Sequence, residues 1–339
     1  MTTPATSTRL EARLERAVQA VDAPDVVFAV SHRGRRTVRG GGTGPPRSLP
    51  RELARYELGS ASKTFAGLLL AHAVQLGRVS VTDPAARYLA GAPRAITLEH
   101  LITHTSGLPP LPGDFWLWAV PHPVTNPYAR YPADRVIRAF LRCRPRRAPA
   151  TVWRYSNFGV AVFGHTLVAA LSTPWASLLG DHVLRPLALT DTGLVAQEHD
   201  AIGHRADGRT PTPPIRINGF APAGGVRATP HDMLSYLEAH LDPPAGLPST
   251  LRVALTRVLE PAGRHGEDYQ EIHTRGWFRH DLDTGPVFFH GGGTLGQQAF
   301  LGFRPDTRTA LAAFSTRRYG RDDTFQATAY DLLTWRDIR

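Results

Sequence analysis

The stretch Glu57-Leu58-Gly59-Ser60-Ala61-Ser62-Lys63-Thr64-Phe65 decides how the rest of the chain is read. It opens an apolar helical segment over 61–76, with Phe65-Ala66-Gly67-Leu68-Leu69-Leu70-Ala71 at its centre and Gly77 ending it. Ser60 stands where that helix should begin, and Lys63 follows three residues later. Residues at i and i+3 share one helix face, so the hydroxyl and the amine can meet at hydrogen-bond distance. Ser60 also sits at the positive end of the helix dipole, which favours negative charge there. A serine hydroxyl is a weak nucleophile until a nearby base takes its proton. A buried amine with a lowered pKa can be that base.

Composition sharpens the choice of residue. The chain has 339 residues, 39 of them Lys or Arg, and Lys63 is the single lysine. With 29 Asp plus Glu the formal charge is +10. Apolar residues make 42% and charged residues 20%, the balance of a folded globular chain rather than a disordered or fibrous one. The arginines are scattered. Their densest run is Arg142-Cys143-Arg144-Pro145-Arg146-Arg147, and no nucleic-acid-binding signature accompanies it, so a solvated basic surface is expected and no nucleic-acid partner. One cysteine, Cys143, excludes an internal disulfide and any site built on several thiolates. The first eight residues lack a basic stretch followed by an apolar one, and no apolar run reaches about 18 residues. No membrane span is expected, and the expected location is the cytoplasm.

Working outward, residues 9–21 read as an amphipathic helix with Leu10, Leu14, Ala17, Val18 and Val21 on one face. Asp25–Ser31 reads as a strand, His32–Arg35 as a turn, Arg36–Arg39 as a short return strand and Gly40–Pro50 as loop. From about 80 to 265 helical pieces alternate with proline-rich loops. These include helices over Leu98–His104, 158–171 and 230–241, and loops over 109–133 and 203–217. Candidate strands return at Ile272–Arg279, Pro286–His290, Gly296–Phe303 and Arg308–Ser315, and Asp323–Trp335 closes the chain as a helix. Two strands from the start and four from the end should join one antiparallel sheet, with a mainly helical insertion between them.

Three further segments bear on the chemistry. Tyr155-Ser156-Asn157 stands at the entrance of a helix. His290-Gly291-Gly292-Gly293-Thr294-Leu295-Gly296 joins two strands. Leu101-Ile102-Thr103-His104-Thr105-Ser106-Gly107-Leu108-Pro109 follows the first motif. The order S-x-x-K, Y-x-N, H-x-G resembles the serine β-lactamase and penicillin-recognising superfamily, most closely its class C branch with D-alanyl carboxypeptidases, D-aminopeptidases, esterases and transacylases. Pro186–Thr192 and Pro222-Ala223-Gly224-Gly225-Val226 resemble that family too, and the likeness runs over roughly 10–335.

The resemblance implies a mixed α/β (α+β) fold of two subdomains. An antiparallel sheet with terminal helices comes from 9–75 and 270–339, and a mainly helical subdomain is inserted over 76–269. It implies that Ser60 is the acylated nucleophile and that Lys63 is its base or keeps its partner ionised. Tyr155 shuttles protons, which requires an adjacent ammonium to stabilise phenolate. Asn157 holds a substrate carbonyl or the Lys63 amine. The N–H groups of Ser60 and Gly293 form an oxyanion hole, and Gly292 lets substrate lie against the strand edge. His290-Gly291-Gly292 departs from the Lys-Thr-Gly of β-lactamases, losing a fixed cation and a hydroxyl. With the expected location, that departure ranks an intracellular serine hydrolase or acyltransferase first. The substrate is a small ester or amide and the acceptor water or an amine, as in natural-product biosynthesis, with no metal and no organic cofactor. A β-lactamase or D-amino-acid peptidase ranks second. A non-catalytic binding or sensor homologue would have no reason to keep Ser60, Lys63, Tyr155 and the glycines together.

Other readings of these residues fail. His290–Gly293 could pass for the oxyanion loop of an α/β-hydrolase, but there that loop precedes a G-x-S-x-G nucleophile, which this chain lacks. Gly59–Thr64 ends like a P-loop, yet Ser62 stands where glycine is needed. His100 and His104 have zinc-ligand spacing without the intervening Glu, and read as structural histidines. Cys143 reads as unreactive. Trp116, Trp118, Trp153 and Trp277 fit either core packing or a pocket wall.

Overall fold

A computed structural model describes residues 4–46, 48–119, 126–145, 147–266 and 271–335. The side chains of 4–8, Trp118 and Ala119 lie outside that description, as do residues 1–3, part of the 109–133 loop and Arg146 of the basic run.

Eight strands form one antiparallel sheet. They are β1 (Val26–His32), β2 (Arg35–Gly41), β3 (Gly263–His265), β4 (Glu271–His273), β5 (Phe278–Leu282), β6 (Gly285–Gly293), β7 (Gln298–Arg304) and β8 (Thr309–Ser315). Their order is β2-β1-β8-β7-β6-β5-β4-β3, so the first hairpin joins the C-terminal meander through β1 and β8. In β1, Phe28 and Val30 face one side, where helices α1 (Pro4–Gln19) and α4 (Phe325–Thr334) bring Leu10, Leu14, Phe325 and Leu332 against them. Val27 and Ala29 face the other side and the central helix α2 (Lys63–Gln75), with Phe65 and Leu69 in the same core. With both faces covered, β1, β7 and β8 are buried along their whole length, which is why they read as continuous apolar runs. Helix α2 is buried on nearly every side, as its all-round apolar sequence requires. No single helix among the described residues is long and apolar enough to cross a membrane.

Several expected boundaries move for local reasons. The first helix begins at Pro4 and ends at Gln19. The return strand runs on through Gly40 and Gly41, paired with Val27 and Val26, although both glycines were expected in loop. The expected strand Ile272–Arg279 is two strands. Between them Thr274 Oγ1 accepts from the N–H of Trp277 at 3.0 Å, closing a tight turn that packs Arg275 and Gly276 onto α2. The short strand β3 lies within the segment expected to be helical. The 109–133 segment carries a short helix at Phe115–Ala119 and a turn at Pro127–Arg130. Two two-residue strands, Gly203–His204 and Pro211–Thr212, interrupt the expected loop over 203–217. The long helix after Tyr155, α3 (Asn157–Leu171), begins one residue early, capped by Ser156 Oγ accepting from Gly159 N–H at 2.8 Å.

A buried ion pair ties the inserted region to the strand before Ser60. Glu57 Oε1 accepts from Arg227 Nη1 at 2.8 Å and from Ile215 N–H at 2.7 Å, while Arg227 Nη2 donates to Ile215 O at 2.6 Å. Both side chains are almost fully buried. Removing one partner of such a pair strands the other charge, so Arg227→Ala should lower stability by about 3–5 kcal/mol. Urea unfolding of the two proteins checks this, and a loss below about 1 kcal/mol, the range of an exposed pair, would contradict it.

Candidate active site

The helix expected from 61 starts at Lys63, preceded by a 3₁₀ turn over Gly59–Ser62. In a 3₁₀ turn residues i and i+3 eclipse one another, which brings Ser60 and Lys63 closer than an α-helix would. Lys63 Nζ lies 3.0 Å from Ser60 Oγ, 2.8 Å from Asn157 Oδ1 and 2.8 Å from Ala223 O. Lys63 is 1% exposed, and none of these three partners is charged. Burial alone pushes its amine down to about 7. The hydrogen-bond inventory then orders the protons. A neutral amine has two N–H groups and one lone pair. Asn157 Oδ1 and Ala223 O can only accept, so they take the two N–H groups, and the lone pair is left for the Ser60 hydroxyl.

Tyr155 hydrogen-bonds to Ser60 as well. Burial raises its phenol well above the ordinary range, and the Lys63 nitrogen lies 4.9 Å from its ring centroid. Burial thus disfavours the phenolate that the family likeness implies and draws the amine toward its neutral form. His104, expected to be structural, lies against Tyr155 with ring centroids 4.4 Å apart. Its Nδ1 accepts from Ser156 N–H at 3.2 Å, fixing the start of α3. His100 Nδ1 accepts from Thr97 N–H at 3.2 Å in a capping box. Both histidines have protein partners of their own.

His290 follows Tyr155 in being uncharged. Burial, and secondarily the Lys63 amine, lowers it to about 3, and its Nδ1–H donates to Gly291 O at 2.6 Å. The place of the β-lactamase lysine is thus held by a neutral ring. Gly292 and Gly293 after it meet the turn that carries Ser60 at close range. A Cβ on Gly292 would sit 1.9 Å from Leu58 O and 2.9 Å from Ala61 N, so the missing side chain lets β6 close on the turn that carries Ser60. Gly59, at φ +50°, makes the reciprocal approach: its Cβ would lie 2.6 Å from Gly293 O. This sets the backbone of Gly293 against the turn that carries Ser60. A Cβ on Gly293 would meet nothing within 4 Å, so Gly293 is the one that faces open space.

Two residues escaped the sequence reading. Ala223 O acts through its backbone, which carries no side-chain signature, although its segment had been singled out. Tyr128, from a proline-rich loop, hydrogen-bonds Asn157 and holds its amide in place. Of the tryptophans, Trp277 is core and Trp116 is 61% exposed, while Trp153 stacks on His265 at 3.7 Å beside Tyr155. Burial raises the Cys143 thiol, which disfavours the reactive thiolate.

The beta-lactamase family model matches residues 10–334. The chain belongs to the beta-lactamase family. A beta-lactamase of Yersinia enterocolitica is 29% identical over 323 residues, 82% of this chain and 77% of that protein. A beta-lactamase of Escherichia coli K12 is 28% identical over 239 residues, 68% of this chain and 59% of that protein, so the likeness spans little more than half of that relative. Among solved structures, a class C beta-lactamase superposes with TM-score 0.82 at 19% identity, over 97% of both chains. A beta-lactamase/D-alanine carboxypeptidase from Pseudomonas syringae gives 0.80 at 19%, over 98% of this chain and 99% of that one. At these identities the superpositions establish a class C beta-lactamase-like fold for this family member.

Proposed function

We propose that this chain is a serine hydrolase or acyltransferase that works on a small ester or amide through an acyl-Ser60 intermediate, with water or an amine as acceptor. The observation that carries the reading is the set of three contacts around Lys63, which leaves its lone pair for the Ser60 hydroxyl. Ser60 Oγ attacks the substrate carbonyl carbon as its proton passes to Lys63 Nζ. The carbonyl oxygen becomes an oxyanion held by the amides of Ser60 and Gly293, each worth about 3–4 kcal/mol in such a site. The bond to the leaving oxygen or nitrogen breaks, and that atom takes the phenolic proton of Tyr155. Lys63 returns its proton to Tyr155. Water or an amine then enters by the reverse route and releases the acyl group.

The beta-lactamase and carboxypeptidase names of the relatives favour a second reading, a β-lactamase or D-amino-acid peptidase. Against it stand the neutral His290 and the absence of Lys or Arg among the described residues lining the site. A substrate carboxylate would meet no cation there. Intact-mass analysis after exposure to p-nitrophenyl acetate or a fluorophosphonate should show a single adduct, lost in Ser60→Ala. A folded protein that never forms the adduct would refute the acyl-serine reading. Nitrocefin turned over faster than p-nitrophenyl acetate would move the second reading to first place.

A further inference from the structure

Two cavities meet at Ser60 and Gly293, and they are unequal. One is about 190 Å³, with Asn157, Tyr128, Ile215, Ile217 and Phe220 in its wall. The other is about 560 Å³. It opens where β5 stops: β5 pairs with β6 only as far as Phe278 opposite Phe289, and among the described residues no strand pairs with that edge of β6 beyond it. Phe278, Phe289 and Phe300 from three successive strands wall it, with Tyr330 and His280 bonded to each other at 2.7 Å. Gln298 and Gln326 supply neutral hydrogen-bonding groups, and Glu271 is its one charged lining residue among those described.

Tyr155 lines the large cavity, Asn157 the small one. Resting on the acyl-Ser60 reading, this asymmetry assigns direction. The group that receives the Tyr155 proton must leave on the side where Tyr155 stands. The carbonyl oxygen is fixed at the two amides, so the acyl chain projects the other way. We infer that this enzyme transfers a short acyl group, seated in the small cavity, from or to a bulky, aromatic and uncharged alcohol or amine seated in the large one. The aromatic wall offers stacking area, and the described residues lining the cavity include Glu271 but no Lys or Arg, which disfavours an anionic partner.

Two ester series test the assignment. With p-nitrophenol as the common leaving group, kcat/KM should fall by about tenfold or more from acetyl to hexanoyl as the small cavity overfills. With acetyl as the common acyl group, 2-naphthyl acetate should exceed 4-carboxyphenyl acetate by a similar factor, about tenfold. Ile217→Ala should recover the hexanoyl ester relative to the acetyl ester, and Tyr319→Arg, at an exposed position in the large cavity, should recover the carboxyphenyl ester relative to the naphthyl one. A rate that climbs with acyl length, or ratios that neither variant moves, would overturn the assignment while leaving acyl-Ser60 intact. Failure of every ester to acylate the folded protein would instead remove the acyl-serine reading and this inference with it.

Discussion

Lys63→Arg should abolish turnover while the protein stays folded, lowering kcat/KM by about two to four orders of magnitude. Charge is conserved, and for a lysine that acted only as a fixed cation the change would be mild. Here the amine is 1% exposed and has no charged partner among its hydrogen bonds. Its pKa falls to about 7, so near neutral pH a large fraction carries the lone pair that faces Ser60. A guanidinium keeps its proton in proteins and has no lone pair to offer. The sign of the pH dependence follows. The unprotonated amine is the active form, so wild-type kcat/KM should rise with pH through about 7 and be lost below it. Tyr155, held neutral by burial, must give up its proton only at high pH and so sets no limit near neutrality. A pH profile of p-nitrophenyl acetate hydrolysis, with circular dichroism of the variant as the folding control, checks both statements. An arginine variant within a few-fold of wild type would mean that Lys63 acts as a cation and that the proton goes elsewhere.

This lysine also shows how far the sequence could be read. Arginine replaces lysine everywhere else in the chain, and the one lysine lies three residues after a helix-opening serine. That much is local and legible. Its other two contacts are not: Asn157 lies 94 positions away and Ala223 160 positions away. The second is a backbone carbonyl, which any residue type supplies. Protonation states were equally hidden. Whether Tyr155 and His290 are charged depends on burial by segments distant in sequence, and that burial pushes both toward the neutral form. The sheet was legible where strands are long and apolar, as in Val26–His32 and Gln298–Arg304, illegible at the three-residue β3, and legible only as one merged strand where the three-residue β4 precedes β5. So short a strand takes its conformation from its neighbour rather than from its own sequence.

The glycines of β6 give the second large effect, Gly292→Ala. Its new methyl would be directed at Leu58 O at 1.9 Å, a backbone atom on a turn with little freedom. Leu58 N–H donates to Val226 O at 2.9 Å, and Leu58 O accepts from Ala61 N–H at 3.1 Å. On the other side Gly292 is paired with Ala299 of β7, in the middle of the sheet. Either the strand or the turn must shift, and each carries one of the two amides that would face the oxyanion. Moving one donor out of place should cost about 10²–10³-fold in kcat. Overpacking should also lower stability by about 1–3 kcal/mol. Gly293→Ala provides the contrast. Its methyl meets nothing within 4 Å, so stability should hold while the entrance to the small cavity narrows. Thermal melts and p-nitrophenyl acetate kinetics on both variants separate the two roles. Gly292→Ala with wild-type melting temperature and rate would show that the close approach of β6 to the Ser60 turn does not set the geometry of the two amides.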